Sequence, residues 1–282
     1  MRLPLTVAMD GSETAAAAAH WAGAMAEASG DVVRLLHVRP RLDQSPGPVR
    51  SRQLDIELQA MNEMARTADQ LRRTHPGLSV DTAVEEGGVA NVLCRAADRV
   101  GTLVLGTRGA GPAALVLGSV ALAVASRSDS PVVLVPPGAA ETPLDREVVV
   151  GVDLKGDGGP VLTYGFEQAK RLGVGLRAVH VWRPPTPLSA AVHVGAEPHR
   201  LEGKDRVLST ELAAVQAFFS DVEAVSQEIR GVPTQELPPI TDKASLLVLG
   251  RRRARPRPAV LGPVVPVVVG RAACPIAVVP HQ

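Results

Sequence analysis

The chain has 282 residues, 45% of them hydrophobic, and a formal net charge of +1 at pH 7. That length suits two domains of about 140 residues, each able to bury a core. A near-neutral balance argues against a polybasic surface, so neither nucleic acid nor a membrane is an expected partner. In chain order, apolar runs predict strands at 5–9, 32–38, 79–84, 102–106 and 131–135. The first, fourth and fifth are almost wholly apolar, as in parallel strands covered on both faces. Ser12 predicts an N-cap for a helix over 14–29, and Gly30 its stop. Leu54, Leu58, Met61, Ala65 and Ala68 are spaced 4-3-4-3, which predicts the apolar face of a second helix. An apolar helical stretch opens at Leu117-Gly118-Ser119-Val120 and reaches Ser126.

The second half repeats the first. Leu103-Val104-Leu105-Gly106 recurs as Leu247-Val248-Leu249-Gly250, and Leu117-Gly118 as Leu261-Gly262. Ser130-Pro131-Val132-Val133-Leu134-Val135-Pro136 recurs as Cys274-Pro275-Ile276-Ala277-Val278-Val279-Pro280. These pairs are offset by 144 residues. Asp10 recurs as Asp153 and His37-Val38 as His180-Val181, offset by 143. So long and constant an offset means duplication of a whole domain. The domains are expected at 1–138 and 145–282, joined by a linker at Pro136-Pro137-Gly138-Ala139-Ala140. Leu208, Leu212, Val215 and Phe219 repeat the helical spacing in the second copy. Strand–helix alternation predicts an α/β fold: two tandem, doubly wound, five-stranded parallel-sheet domains of Rossmann-like type.

No signal peptide is read in MRLPLTVAMDGSE, where an acidic residue precedes any long apolar run. The most apolar stretch, 113–125, is too short to span a bilayer. A cytoplasmic protein is the expectation. Cys94 and Cys274 are far apart with no partner motif and read as buried or idle thiols. His193 and His199 flank Glu197, but a surface loop is the plainer reading than a metal site.

Ligands of doubly wound sheets bind beyond the carboxyl ends of the strands. The first strand ends in Ala8-Met9-Asp10-Gly11-Ser12, where Asp10 is placed to accept hydrogen bonds from a base or a ribose, or else to cap a turn. The fourth ends in Gly106-Thr107-Arg108-Gly109-Ala110-Gly111-Pro112, glycine-rich enough for backbone N–H groups to meet an anion. The free N–H groups of the helix beginning at Ser119, with its hydroxyl, offer a phosphate site, and Arg108 adds charge. A turn-rich connection without ligand is the alternative. No G-x-x-x-x-G-K-[ST] occurs, nor any G-x-G-x-x-G after the first strand, which argues against a Walker-type NTPase and against NAD.

With these residues the chain resembles the universal stress protein family, whose motif is G-x2-G-x9-G-[ST] after the fourth strand with an Asp closing the first. Gly106, Gly109, Gly118 and Ser119 match, although eight residues, 110–117, stand where the motif has nine. The resemblance implies ATP binding without efficient hydrolysis in one branch of the family and no nucleotide in another. It implies that Asp10, with Ala8 beside it, meets the adenosine. Val38 would contact adenine through its backbone, and Gly106, Arg108, Gly109, Gly118, Ser119 and Val120 would surround ribose and phosphates. Mg²⁺ or Mn²⁺ usually accompanies those phosphates. It also implies pairing of the two copies through their final strands, at 132–135 and 276–279, with a homodimer left open.

In the second copy Arg253 replaces the second motif glycine and Pro263 the motif serine. Proline has no N–H for a phosphate, and Pro266 disturbs the helix that follows. Five arginines fall within 251–257; a solvated loop is preferred over a grip on polyphosphate, an acidic partner or a nucleic acid backbone. The sequence reading is therefore a non-enzymatic stress-response or regulatory protein that binds ATP in its first copy only. The alternative is a nucleotide-free scaffold that engages a protein partner.

Overall fold

The structure, a computed structural model, describes residues 4–40, 48–107, 117–183, 200–253 and 261–282. The first copy forms β1 (Leu5–Met9), α1 (Glu13–Ser29), β2 (Val33–Arg39), α2 (Pro48–Thr74), β3 (Val80–Glu86), α3 (Val89–Val100), β4 (Thr102–Gly106), α4 (Ser119–Arg127) and β5 (Val132–Val135). The second forms β6 (Val148–Gly151), α5 (Gly159–Leu172), β7 (Leu176–Trp182), α6 (Arg200–Gln216), β8 (Ala224–Arg230), α7 (Pro233–Ile240), β9 (Leu246–Arg252), α8 (Val264–Val269) and β10 (Ile276–His281).

All ten strands share one sheet, in the order β3-β2-β1-β4-β5-β10-β9-β6-β7-β8. Within each copy every neighbouring pair is parallel. The seam is antiparallel: Ile276 pairs with Leu134, Ala277 with Val133 and Val278 with Val132. All six residues are buried, so the seam hides the apolar edge that each copy would otherwise present. The outermost strands carry charge instead, Asp81, Glu85 and Glu86 on β3 and Glu228 and Arg230 on β8, which discourages further strand addition.

Two cores lie on the two faces of the sheet, and each runs through both copies. One packs Trp21 of α1 and Leu71 of α2 with Phe166 of α5 and Leu208 of α6. The other packs Leu93 of α3 and Val124 of α4 with Leu237 of α7 and Val268 of α8. Burial of each such large side chain contributes about 1.5–3 kcal/mol. Across the seam, Arg171 lies 3.0 Å from the nearly buried Asp31 carboxylate, and Thr142 donates to Ala273 O at 3.2 Å. The linker is itself packed, with Ala139 buried in a short 3-10 turn, Ala139–Glu141.

Local signals explain the first elements. Ser12 Oγ accepts from Ala15 N and caps α1, while Gly30 stops it in the left-handed conformation at φ 67°. Gly173 closes α5 the same way, also at φ 67°. The apolar face expected on α2 is a correction. Of the expected face only Ala68 is buried; Leu54, Leu58 and Met61 are exposed, at 47%, 60% and 40%, as is Ala65, and the helix buries Glu57, Ala60, Met64 and Leu71 instead. The small side chain of Ala60 and a polar anchor at Glu57 set that rotation. In α6 the corresponding reading holds for Leu208 and Leu212, which are buried, but the helix ends at Gln216; Phe219 lies beyond it and stacks on Phe166 with centroids 5.3 Å apart.

Candidate functional site

In each copy the first strand sits between the second and the fourth, so strand order reverses at its carboxyl end. A crevice there is the site the topology offers. In the first copy it is framed by the residues after β1, the end of β2, the end of β4 and the start of α4.

Ala8 is half-buried in β1, and Asp10 is the exposed residue just beyond it. Asp10 Oδ1 accepts the Ser12 N–H at 3.0 Å, a local turn bond. Among the described residues no cation pairs with Asp10. Val38 is buried one residue before the end of β2 and pairs with Glu85 of β3. β1 ends at Met9, opposite His37, so the β1-facing edge of Val38 lies past the last β1 residue of that ladder.

Gly106 ends β4 against the first turn of α1. A Cβ there would stand 2.7 Å from both the carbonyl carbon and oxygen of Thr14. The missing side chain therefore lets α1 close onto β4. Thr107 N donates to Val135 O at 3.1 Å, and Thr107 O accepts from Gly118 N at 2.8 Å. This clasp ties the start of α4 to the end of β4. Arg108, Gly109 and most of the eight-residue gap, 110–116, lie outside the described residues, as do His193, Glu197 and His199.

Gly118 is the N-cap of α4 and offers no capping side chain. Its own N–H is used by Thr107, which leaves the first-turn N–H groups of Ser119, Val120 and Ala121 without intrahelical partners. Ser119 and Val120 are exposed. Three donors at the positive end of a nine-residue helix, with a hydroxyl among them, suit a phosphate. Asp10, Val38, Gly106, Gly118, Ser119 and Val120 thus all fall at the carboxyl edge of the sheet.

Sequence reasoning missed the polar pair under this crevice. His37 Nδ1 donates to Met9 O at 2.7 Å, and its Nε2 lies 2.9 Å from Glu57 Oε2, with both residues buried. Nδ1 is committed as a donor to a carbonyl, which leaves Nε2 to face the Glu57 carboxyl. The pair straps α2 to the end of β1. The repeat held the signal: His180 Nδ1 makes the same bond to Val152 O at 2.9 Å. There the acidic neighbour is Glu211, whose Oε2 is buried without a partner among the described residues. Burial first, and the Asp157 carboxylate second, push the Glu211 carboxyl up.

The second copy's crevice is a cleft of about 610 Å³ beyond β6, β7 and β9. Its polar chemistry is rearranged. Asp153, the counterpart of Asp10, is bound by Arg252 at 3.0 Å. α8 has six residues, starts after Pro263 and has no side-chain cap. Arg255 and Arg257 lie outside the described residues; Arg251, at the end of β9, is not solvated as expected, which corrects that part of the expectation. Arg251 is buried and donates to Ser128 O across the seam, and Arg253 donates to Asp129 O at 2.8 Å. Both acceptors belong to the turn after α4, so Arg251 and Arg253 grip the first copy.

Among the described residues no helix is long and apolar enough to cross a membrane, and no three His, Cys, Asp or Glu side chains converge as a metal cluster.

Comparison with known proteins agrees with this geometry. Two stretches, 1–136 and 146–280, each match the model of the Universal stress protein family. A universal stress protein of Mycolicibacterium smegmatis is 29% identical over 257 residues, which cover 87% of this chain and 86% of that one. Universal stress protein Rv1996 of Mycobacterium tuberculosis is 26% identical over 271 residues, covering 88% and 85%. The crystal structure of a universal stress protein from Archaeoglobus fulgidus shares the fold, with a TM-score of 0.73 at 18% identity over 99% of this chain and 98% of that one.

Proposed function

Because the chain belongs to the universal stress protein family in a tandem, two-domain form, we propose that its first copy binds ATP and that the second does not. The domains are 1–138 and 145–282. The observation that carries the reading is the contrast at the two strand ends: Asp10 has no cation on it among the described residues, whereas Asp153 is held by Arg252. Asp10 and Ala8 meet the adenosine, with the Val38 backbone at the base. Gly106, Arg108, Gly109, Gly118, Ser119 and Val120 surround ribose and phosphates.

The donor set suits a polyphosphate, since three first-turn N–H groups and the exposed Ser119 lie together at the start of α4, at the carboxyl edge of the sheet. Mg²⁺ or Mn²⁺ at such a site rides with the phosphates. The function is binding rather than catalysis: nucleotide occupancy alters the choice of protein partner. The proposal includes a cytoplasmic location, which the two free cysteines suit. A homodimer is compatible with it.

A nucleotide-free scaffold is the second reading. Gly106 and the Gly118 N–H both have structural employment, against α1 and on Thr107 respectively. Nucleotide extracted from the purified chain, followed by calorimetric titration with ATP, decides between them. One ATP per chain, lost in Gly118→Val/Ser119→Ala, is the expected result. No ATP, two per chain, or ATP retained by that double variant would overturn the first reading.

A further inference from the structure

The second copy keeps a drug-sized cleft at the place where its nucleotide chemistry has been dismantled. Its inner wall is apolar: Val161, Val179, Leu237, Leu249 and Val265 all line it and are buried to within 4% of complete. Its rim is cationic. Lys155, Arg183, Arg251 and Arg252 line the cleft against the carboxylates of Asp153 and Asp157. Arg252 and Asp153 neutralise each other, and Arg251 is turned to Ser128 O. Asp157 accepts the Gly159 N–H at 3.0 Å. Lys155 and Arg183 remain at the rim, both exposed and with no carboxylate partner among the described residues.

We propose that this cleft binds an amphipathic organic anion, with an apolar body against Val161, Leu237 and Leu249 and a carboxylate or sulfonate at Lys155 and Arg183. A cleft of this volume with mostly apolar walls and a few polar groups suits a small organic ligand. A nucleotide is disfavoured on three counts. The carboxylate that would take its ribose is occupied, Pro263 supplies neither N–H nor hydroxyl, and the six-residue α8 offers no capped first turn. A monoanion with an apolar body needs none of these. It needs a desolvated wall and an uncompensated cation, and the cleft supplies both. The inference does not rest on ATP binding in the first copy.

The test uses the full chain in saturating ATP, which fills any nucleotide site first. The dye 1-anilinonaphthalene-8-sulfonate is titrated in and then displaced by decanoate or by decanol, its neutral counterpart. Decanoate displaces the dye at least about tenfold more effectively than decanol, a difference of roughly 1.4 kcal/mol. Lys155→Glu/Arg183→Glu weakens decanoate at least about tenfold and leaves decanol as it was. Both substituted side chains are exposed, and an unchanged melting curve verifies the fold of the variant. A second check is Leu237→Gln, which weakens decanoate and decanol together. Equal potency of decanoate and decanol, binding indifferent to the charge reversal, or a dye site abolished by ATP in the parent chain would each overturn the proposal.

Discussion

Arg252 donates to Asp153 at 3.0 Å, and Asp153 occupies in the second copy the position of Asp10 in the first. The two carboxylates end equivalent strands, yet one is neutralised by a neighbour and the other, among the described residues, is held by the turn N–H of Ser12 alone. On the ATP reading, Asp10→Ala removes charge-assisted hydrogen bonds worth about 1.5–3 kcal/mol, or roughly a ten- to hundredfold loss of affinity. Asp153→Ala leaves ATP affinity unchanged. Calorimetry on the two variants checks the pair, and equal losses from both would contradict the asymmetry.

Gly106 is a packing glycine whatever the ligand. Its absent Cβ is filled by the Thr14 carbonyl at 2.7 Å, and backbone cannot swing aside. Gly106→Ala is therefore expected to destabilise the chain by about 1–3 kcal/mol, as overpacking does. Gly77→Ala, where nothing lies within 4 Å of the added carbon, is expected to be neutral or slightly stabilising. Urea unfolding midpoints compare the two; a Gly106→Ala protein as stable as Gly77→Ala would show that α1 does not need this close approach.

Arg251 and Arg253 hold the seam unequally. Arg251 is buried and its guanidinium donates to Ser128 O, so truncation leaves a carbonyl without its charged donor. Arg251→Ala is expected to cost about 1.5–3 kcal/mol. Arg253 is exposed, 3.7 Å from the Asp129 carboxylate, and its truncation is expected to cost less than about 1 kcal/mol. Thermal melts at low and high salt separate them: the Arg253 effect shrinks with salt, and the Arg251 effect persists. A salt-sensitive Arg251 effect would mean that its buried bond is not what matters.

Much of this architecture is legible in the sequence because the repeat doubles each signal. The apolar run of β1, the Ser12 cap and the Gly30 stop needed only local chemistry, and each is found where expected. The pairing of final strands followed from the family resemblance. The buried face of α2 was not legible, because that helix carries two apolar stripes. Leu54, Leu58 and Met61 form the more hydrophobic one, yet the stripe through Ala60, Met64 and Leu71 is the one that faces the sheet. What decides is a tertiary bond, His37 to Glu57, which turns a carboxylate inward. The arginine loop failed for a similar reason. Its acceptors, Ser128 O and Asp129 O, lie more than 120 residues away, across a seam that no local pattern encodes.

Alkaline pH is expected to destabilise the chain through two buried acids, Tyr164 and Cys274. Burial pushes the Tyr164 phenol up to about 12, against a smaller lowering effect of its hydrogen bond with Thr102 of the first copy. Burial likewise pushes the Cys274 thiol up to about 12. Both groups bind their proton more tightly in the folded chain than in the unfolded one. Their contribution to stability is therefore complete below the unfolded pKa, 9.0 for the thiol and 10.0 for the phenol, and is lost as pH rises toward about 12. At ~1.4 kcal/mol per pKa unit, the thiol withdraws on the order of 4 kcal/mol and the phenol on the order of 3 kcal/mol across that window. Urea unfolding at pH 8, 10 and 11 (about one unit below and one and two units above the thiol's onset) should show stability falling across the series. Tyr164→Phe and Cys274→Ala each remove one titration, so each flattens the decline even where it lowers stability at pH 8. A decline of the same steepness in both variants would assign the alkaline loss to other groups and leave Tyr164 and Cys274 as bystanders in the core.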